Sequence, residues 1–161
     1  MATAGKNLSS YKKSDIANAA VLKIGIVVSE WNNVITDALY AGAHQTLIDN
    51  GILESHIQSL KVPGSYELVY GAKHLIESHK LDAIIAIGSV IQGETKHFDF
   101  VCNAVSLGIK DLNIKYNTPV IFCVLTDDTM QQSIDRSGGK HDNKGVECAV
   151  AALKMATLRE I

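Results

Sequence analysis

Asp82-Ala-Ile-Ile-Ala-Ile-Gly-Ser-Val-Ile-Gln-Gly-Glu-Thr-Lys-His97 decides the reading of this chain. Its first part, Asp82 to Ile87, is a short apolar run of the kind that forms a strand buried on both faces. After His97 come apolar residues at helical spacing: Phe98, Val101, Cys102, Val105, Ile109 and Leu112. Gly88 to His97 therefore reads as a loop that leaves the carboxyl end of a strand and enters a helix. In an open α/β sheet, ligands bind at such a place. The glycines let backbone amides approach an anion, and the helix N-terminus adds positive partial charge. His97 adds a group able to move protons near neutral pH. The first functional expectation is an anionic substrate with proton transfer.

The same unit recurs on either side. Val21 to Val28 is a β-branched run, hence a strand. Ile35, Ala38, Leu39, Gly42, Ala43 and Leu47 then form a helical stripe, with Asn50-Gly51 as its stop signal. His56 to Val62 reads as a second strand, broken by Pro63-Gly64 and followed by a helix marked by Leu68, Val69, Ala72, Leu75 and Ile76. Pro119 to Thr126 is a fourth strand, with proline tolerated at its first position. Asp128 suits the N-cap of a short helix, Thr129 to Arg136. A polar, glycine-rich loop from Ser137 to Asn143 leads to a last helix carrying Val146, Ala149, Val150 and Leu153. Strands that alternate with helices predict an α/β fold with a four-stranded parallel sheet covered on both faces. Right-handed crossovers bring the four strand ends to one edge.

The bulk numbers fit one domain. The chain has 161 residues and a formal net charge of −2 with histidine neutral. That length encloses a real core, and the balance of charge carries no nucleic-acid or membrane footprint. No apolar run reaches the ~18–20 residues that span a bilayer. Residues 1–18 read as a polar arm without the apolar core of a signal peptide, residues 19–161 as the single domain, and the cytoplasm as the expected location. Cys102, Cys123 and Cys148 are too few and too dispersed for a disulfide framework or a zinc knuckle, and each falls in an apolar pattern. The histidines lack metal-ligand spacing, so no metal is expected.

Four loops meet at the expected edge, and most of their residues admit two readings. Trp31 suits a core plug or a flat platform for a heterocycle, with Asn32 beside it for polar contacts. Glu67 complements a helix dipole; beside Ser65 and free amides it also suits the hydroxyls of a polyol. His97 alone would pass for an ordinary helix-start residue, and Arg136, Lys140 and Lys144 for solvated charges. Arg136 together with a glycine-rich loop offers two means of holding a phosphate.

Taken jointly, four segments resemble lumazine synthase. They are Trp31-Asn32, Val62-Pro-Gly-Ser-Tyr-Glu67, Gly88 to His97, and Arg136-Ser-Gly-Gly-Lys-His-Asp-Asn-Lys-Gly145. The similarity runs from about Lys23 to Leu158. The resemblance implies a flavodoxin-like three-layer α/β/α sandwich and a transferase of riboflavin biosynthesis without cofactor or metal. Such an enzyme condenses 5-amino-6-(ribitylamino)uracil with 3,4-dihydroxy-2-butanone 4-phosphate. Its products are 6,7-dimethyl-8-ribityllumazine, phosphate and water. The resemblance also implies self-association into pentamers, up to a 60-subunit icosahedral cage, with riboflavin synthase as a partner. The alternatives are an archaeal-type riboflavin synthase and a non-catalytic lumazine- or flavin-binding shell protein.

Residue by residue, the resemblance gives Trp31 the stacking position on the pyrimidine. Asn32 and Glu67 match positions that meet the ribityl chain. Ser65, Tyr66 and the turn Ser89-Val90-Ile91 match the backbone-rich wall of the pyrimidine pocket. Glu94 and Thr95 form the phosphate turn, where backbone amides and the Thr95 hydroxyl bind while the Glu94 carboxylate points away. Arg136 matches the phosphate clamp and His97 the proton-transfer histidine. Phe122 matches an aromatic given by the neighbouring subunit, and Lys144 a lysine near the pyrimidine edge. Cage-building members often carry glycine before the Asn-Lys-Gly of the last loop; here Asp142 stands there, preceded by His141.

Overall fold

The computed structural model describes residues 19–158, so the polar arm expected at 1–18 lies outside the described residues. Four strands, β1 (Ile24–Ser29), β2 (Ile57–Val62), β3 (Ala83–Ile91) and β4 (Val120–Asp127), make one parallel sheet in the order β2-β1-β3-β4. The helices are α1 (Asn33–Asp49), α2 (Leu68–Ser78), α3 (His97–Lys115), α4 (Met130–Arg136) and α5 (Lys144–Leu158). A reversal of strand order at β1/β3 is the switch point of a flavodoxin-like sheet. Among the described residues no helix is long and apolar enough to cross a membrane.

Alternation along the strands divides the core into two layers. Ile24, Ile26, Val28, Ile85, Ile87 and Leu125 face α1 and α5, meeting Ile35, Leu39, Leu47 and Leu153. Val27, Ile84, Ala86 and Val124 face α2 and α3, meeting Leu68, Leu75, Val105 and Ile109. This is the expected three-layer sandwich.

Several boundaries differ from expectation. The first strand starts at Ile24 because Ala19–Val21 form a 3-10 turn and Lys23 is tied to Asp82, whose Oδ2 accepts the Lys23 amide at 2.8 Å. Thr129, not Asp128, caps α4: it forms a capping box in which Gln132 donates its amide to Thr129 Oγ1 and accepts the Thr129 amide. Ser137–Gly139 and Asp142–Asn143, read as loop, form a short antiparallel pair, β5 and β6. Asn143 locks that pair onto α1, its Nδ2 donating to Ala38 O and Ser137 O. Asp142 adopts φ 62°, the left-handed region that glycine enters most easily.

The correction that matters most concerns β3. Its pairing with β1 ends at Val28↔Ile87, but its pairing with β4 runs on to Ile91↔Asp127. Gly88 to Ile91 is therefore strand, with one ladder edge satisfied by β4 and the other open beside β1. The eight residues of β4 supply a partner for the β-branched pair Val90-Ile91. Periodicity within β3 alone could not reveal that extension.

Candidate active site

The open edge of β3 forms the back of a cavity of about 510 Å³ at the carboxyl end of the sheet. This lies within the ~300–1,000 Å³ typical of small-molecule sites. The cavity is lined by Trp31 and Asn32 after β1, Gly64 to Glu67 after β2, Ser89 to Ile91 of β3, Gly93 and Thr95 of the following turn, and His97, Phe98 and Val101 of α3.

Backbone bonds stitch the loops around it. Glu30 and Trp31 donate their amides to Val62 O and Pro63 O, and Gln92 donates to Asp127 O at 2.9 Å. Asn32 spans the switch point, its Nδ2 donating to Ser89 O at 2.9 Å. Asn32 itself has φ 60°, a conformation that Asn tolerates better than most residues. Gly88 allows this assembly by its lack of a side chain: a Cβ there would lie 2.6 Å from Ser65 Oγ and 2.8 Å from Leu68 Cδ1. Its role is close packing of β3 against the β2–α2 loop, not the approach of an anion.

The side chains offer distinct chemistry. Trp31 is 73% exposed and lines the cavity, which excludes the core-plug reading. Tyr66 and Glu67 are also exposed, whereas Ser65 is buried and its Oγ has no hydrogen-bond partner among the described residues. His97 is the exposed first residue of α3, and its amide faces Thr95 Oγ1 at 3.4 Å. Phe98 and Val101, read from sequence only as part of the core stripe of α3, line the cavity as well. The spacing of His97 and Val101, one helical turn apart, is the signal that puts both on one face.

Four expected site residues do not line this cavity: Glu94, Phe122, Arg136 and Lys144. Glu94 is exposed in the turn. Phe122 is 39% exposed on β4, one of the two edge strands of the sheet. Arg136 ends α4, with Nε 3.7 Å from Asp127 Oδ1 and Nη1 donating to Gln132 O at 2.9 Å. Lys144 opens α5 and pairs with Glu147 at 2.6 Å.

The shifted ionisable groups lie elsewhere. Contact with Cys148, and then burial, holds the Cys123 thiol well above its ordinary range. Burial and the Asp99 carboxylate raise Cys102. Both shifts disfavour the nucleophilic thiolate. The Tyr116 hydroxyl donates to Glu77, which raises its pKa. A smaller cavity of about 210 Å³ at the opposite end of the sheet is lined by Lys23, His56, His79 and Lys80 among others. His79 and Lys80 follow the C-terminus of α2, where cations complement the helix dipole.

Comparison with known proteins places the chain in a family. The family model described as 6,7-dimethyl-8-ribityllumazine synthase matches residues 21–160. A Flavobacterium johnsoniae protein of that name is 61% identical over 160 residues, covering 99% of this chain and 84% of its own length. The Christiangramia forsetii protein of the same name is 58% identical, covering 99% and 96%. Another, from Porphyromonas gingivalis, is 50% identical over the full length of both. The chain belongs to the 6,7-dimethyl-8-ribityllumazine synthase family.

Proposed function

We propose that the cavity beside the open edge of β3 condenses 5-amino-6-(ribitylamino)uracil with 3,4-dihydroxy-2-butanone 4-phosphate to give 6,7-dimethyl-8-ribityllumazine, phosphate and water. The observation that carries this reading is the open edge itself. Ser89 and Ile91 turn their backbone groups to the side away from β4, where Ser89 O already accepts from Asn32, and the exposed Trp31 ring lies at the mouth. A flat, polar-edged heterocycle matches both: the ring stacks and its amide edge pairs with backbone. Asn32 and Glu67 receive the ribityl hydroxyls, and Ser65 and Tyr66 stand with Ser89 to Ile91 along the pyrimidine wall. The turn from Gly93 to Thr95, at the start of α3, receives the phosphate through backbone amides.

The amine of the uracil attacks the ketone, water leaves, and phosphate is eliminated. Tautomerisation and ring closure follow, with loss of a second water. Every step moves a proton, and the imidazole of His97 at the cavity rim is suited to that work. Holding both substrates in one cavity supplies much of the acceleration.

In this reading Phe122, Arg136 and Lys144 serve the cavity of a neighbouring subunit. Two features support it. These residues sit on β4, α4 and α5, away from their own cavity. And α3 exposes Phe100, Leu107 and Ile114, seven residues apart and 71%, 56% and 76% exposed, as an apolar stripe that self-association would cover. A heterologous contact of this kind closes into a ring, here a pentamer, with one shared site per interface. Twelve such rings would make the 60-subunit cage. The lumazine would pass to a riboflavin synthase in the cytoplasm.

The test is an absorbance assay. Both substrates together should give the lumazine chromophore. The archaeal-type riboflavin synthase alternative would instead give riboflavin from lumazine alone, and a non-catalytic shell protein would leave the substrate mixture unchanged.

A further inference from the structure

Asp127 is a buried carboxylate that the reaction as described does not use. It ends β4, and its side chain is 9% exposed. Oδ2 accepts the Ser133 hydroxyl at 2.8 Å, and Oδ1 lies 3.7 Å from Arg136 Nε. At that distance the second contact is an ion pair, not a hydrogen bond. Ser133 is fully buried, and its Oγ lies 3.5 Å from the Oγ of Ser89, which lines the cavity. The guanidinium is also held at Nη1 by Gln132 O.

We propose that Asp127, fixed by Ser133, is a positioning residue for Arg136: it pins the Nε side of the guanidinium so that the remaining donors on Nη1 and Nη2 are set toward the phosphate-bearing substrate. The proposal rests on the reading of Arg136 as the phosphate clamp. A buried carboxylate is costly unless it is paired and hydrogen-bonded, and here its two oxygens serve two partners. The Arg136 side chain is 31% exposed at the end of a seven-residue helix. Its long stem would otherwise lose rotamer freedom each time a ligand bound, and anchoring it beforehand removes that cost. Ser133 lies three residues before Arg136 in α4, so both reach the same side of the helix.

The sign of the effect separates positioning from simple neutralisation. A carboxylate that merely cancelled the arginine's charge would weaken phosphate binding, and removing its charge would tighten it. A carboxylate that positions the fork does the opposite.

The test compares Asp127→Asn, Ser133→Ala, Arg136→Ala and the double variant D127N/R136A, each checked for wild-type assembly by size exclusion. Asp127→Asn should raise KM for the butanone phosphate roughly three- to tenfold, with KM for the uracil and kcat at saturation little changed. Ser133→Ala should act in the same direction by less, and it carries the test if Asp127→Asn does not assemble. In the Arg136→Ala background, Asp127→Asn should add nothing. An Asp127→Asn enzyme with unchanged or lower KM for the phosphate substrate, beside an Arg136→Ala enzyme with raised KM, overturns the positioning role alone. An Arg136→Ala enzyme with unchanged KM overturns the clamp reading beneath it, and the proposal with it.

Discussion

Asn32 Nδ2 donates to the carbonyl of Ser89 across the switch point between β1 and β3, at 2.9 Å, from a backbone held at φ 60°. One residue thus joins the first strand's loop to the wall of the cavity. Asn32→Ala removes the bond and places a Cβ residue less suited to the left-handed region. Asn32→Gly removes the bond only. The first should lower stability by about 1–2 kcal/mol relative to the second, read by thermal or denaturant unfolding. Both should raise KM for the uracil substrate, since Ser89 is no longer held. Equal stability of the two variants would show that the backbone conformation carries no strain.

Gly88 makes the second joint. Its added Cβ would meet Ser65 Oγ at 2.6 Å and Leu68 Cδ1 at 2.8 Å. Gly88→Ala should cost roughly 1–3 kcal/mol by overpacking and should weaken substrate binding by displacing Ser65. A variant with wild-type melting temperature and KM would mean that the β2–α2 loop yields freely.

These joints mark what the sequence could and could not disclose. Alternating apolar strands and helices were legible because the central strands β1 and β3 are buried on both faces and each helix keeps its stripe. The gathering of Trp31, Ser65, Glu67 and His97 followed from the handedness of crossovers. The length of β3 was hidden, because whether Gly88 to Ile91 is loop or strand depends on how far its partner β4 extends. Asp127 and Ser133 were hidden for a related reason: a buried pair across a strand end and a helix has no periodic signature. The resemblance had already set Phe122 apart from the rest of the site, but that Arg136 also lies outside this cavity has no signature in the sequence.

At Asp142 the backbone has φ 62°. Asp142→Gly should be tolerated, whereas Asp142→Val should lose about 1–2 kcal/mol relative to it. Comparing the unfolding midpoints of the two checks this, and equal midpoints would contradict it.

His97 stands exposed at the cavity rim on the first turn of α3. His97→Ala should slow turnover by no more than the ~10²–10⁴ expected for acid/base assistance, because juxtaposition of the substrates remains. A variant with the wild-type rate would leave His97 a helix-start residue and nothing more.

The shared site is the central claim, and subunit mixing tests it most directly. Trp31 and Glu67 line the cavity, while Arg136 lies outside it. A Trp31→Ala/Glu67→Ala chain spoils the cavity but keeps the arginine, and an Arg136→Ala chain does the reverse. Each should be nearly inactive alone. After joint disassembly and reassembly at equal amounts, an intact cavity should meet an intact arginine at about one interface in four. Activity of the mixture should then rise to about a quarter of the wild-type value. A reassembled mixture no more active than the average of its parents would contradict a site built from two subunits.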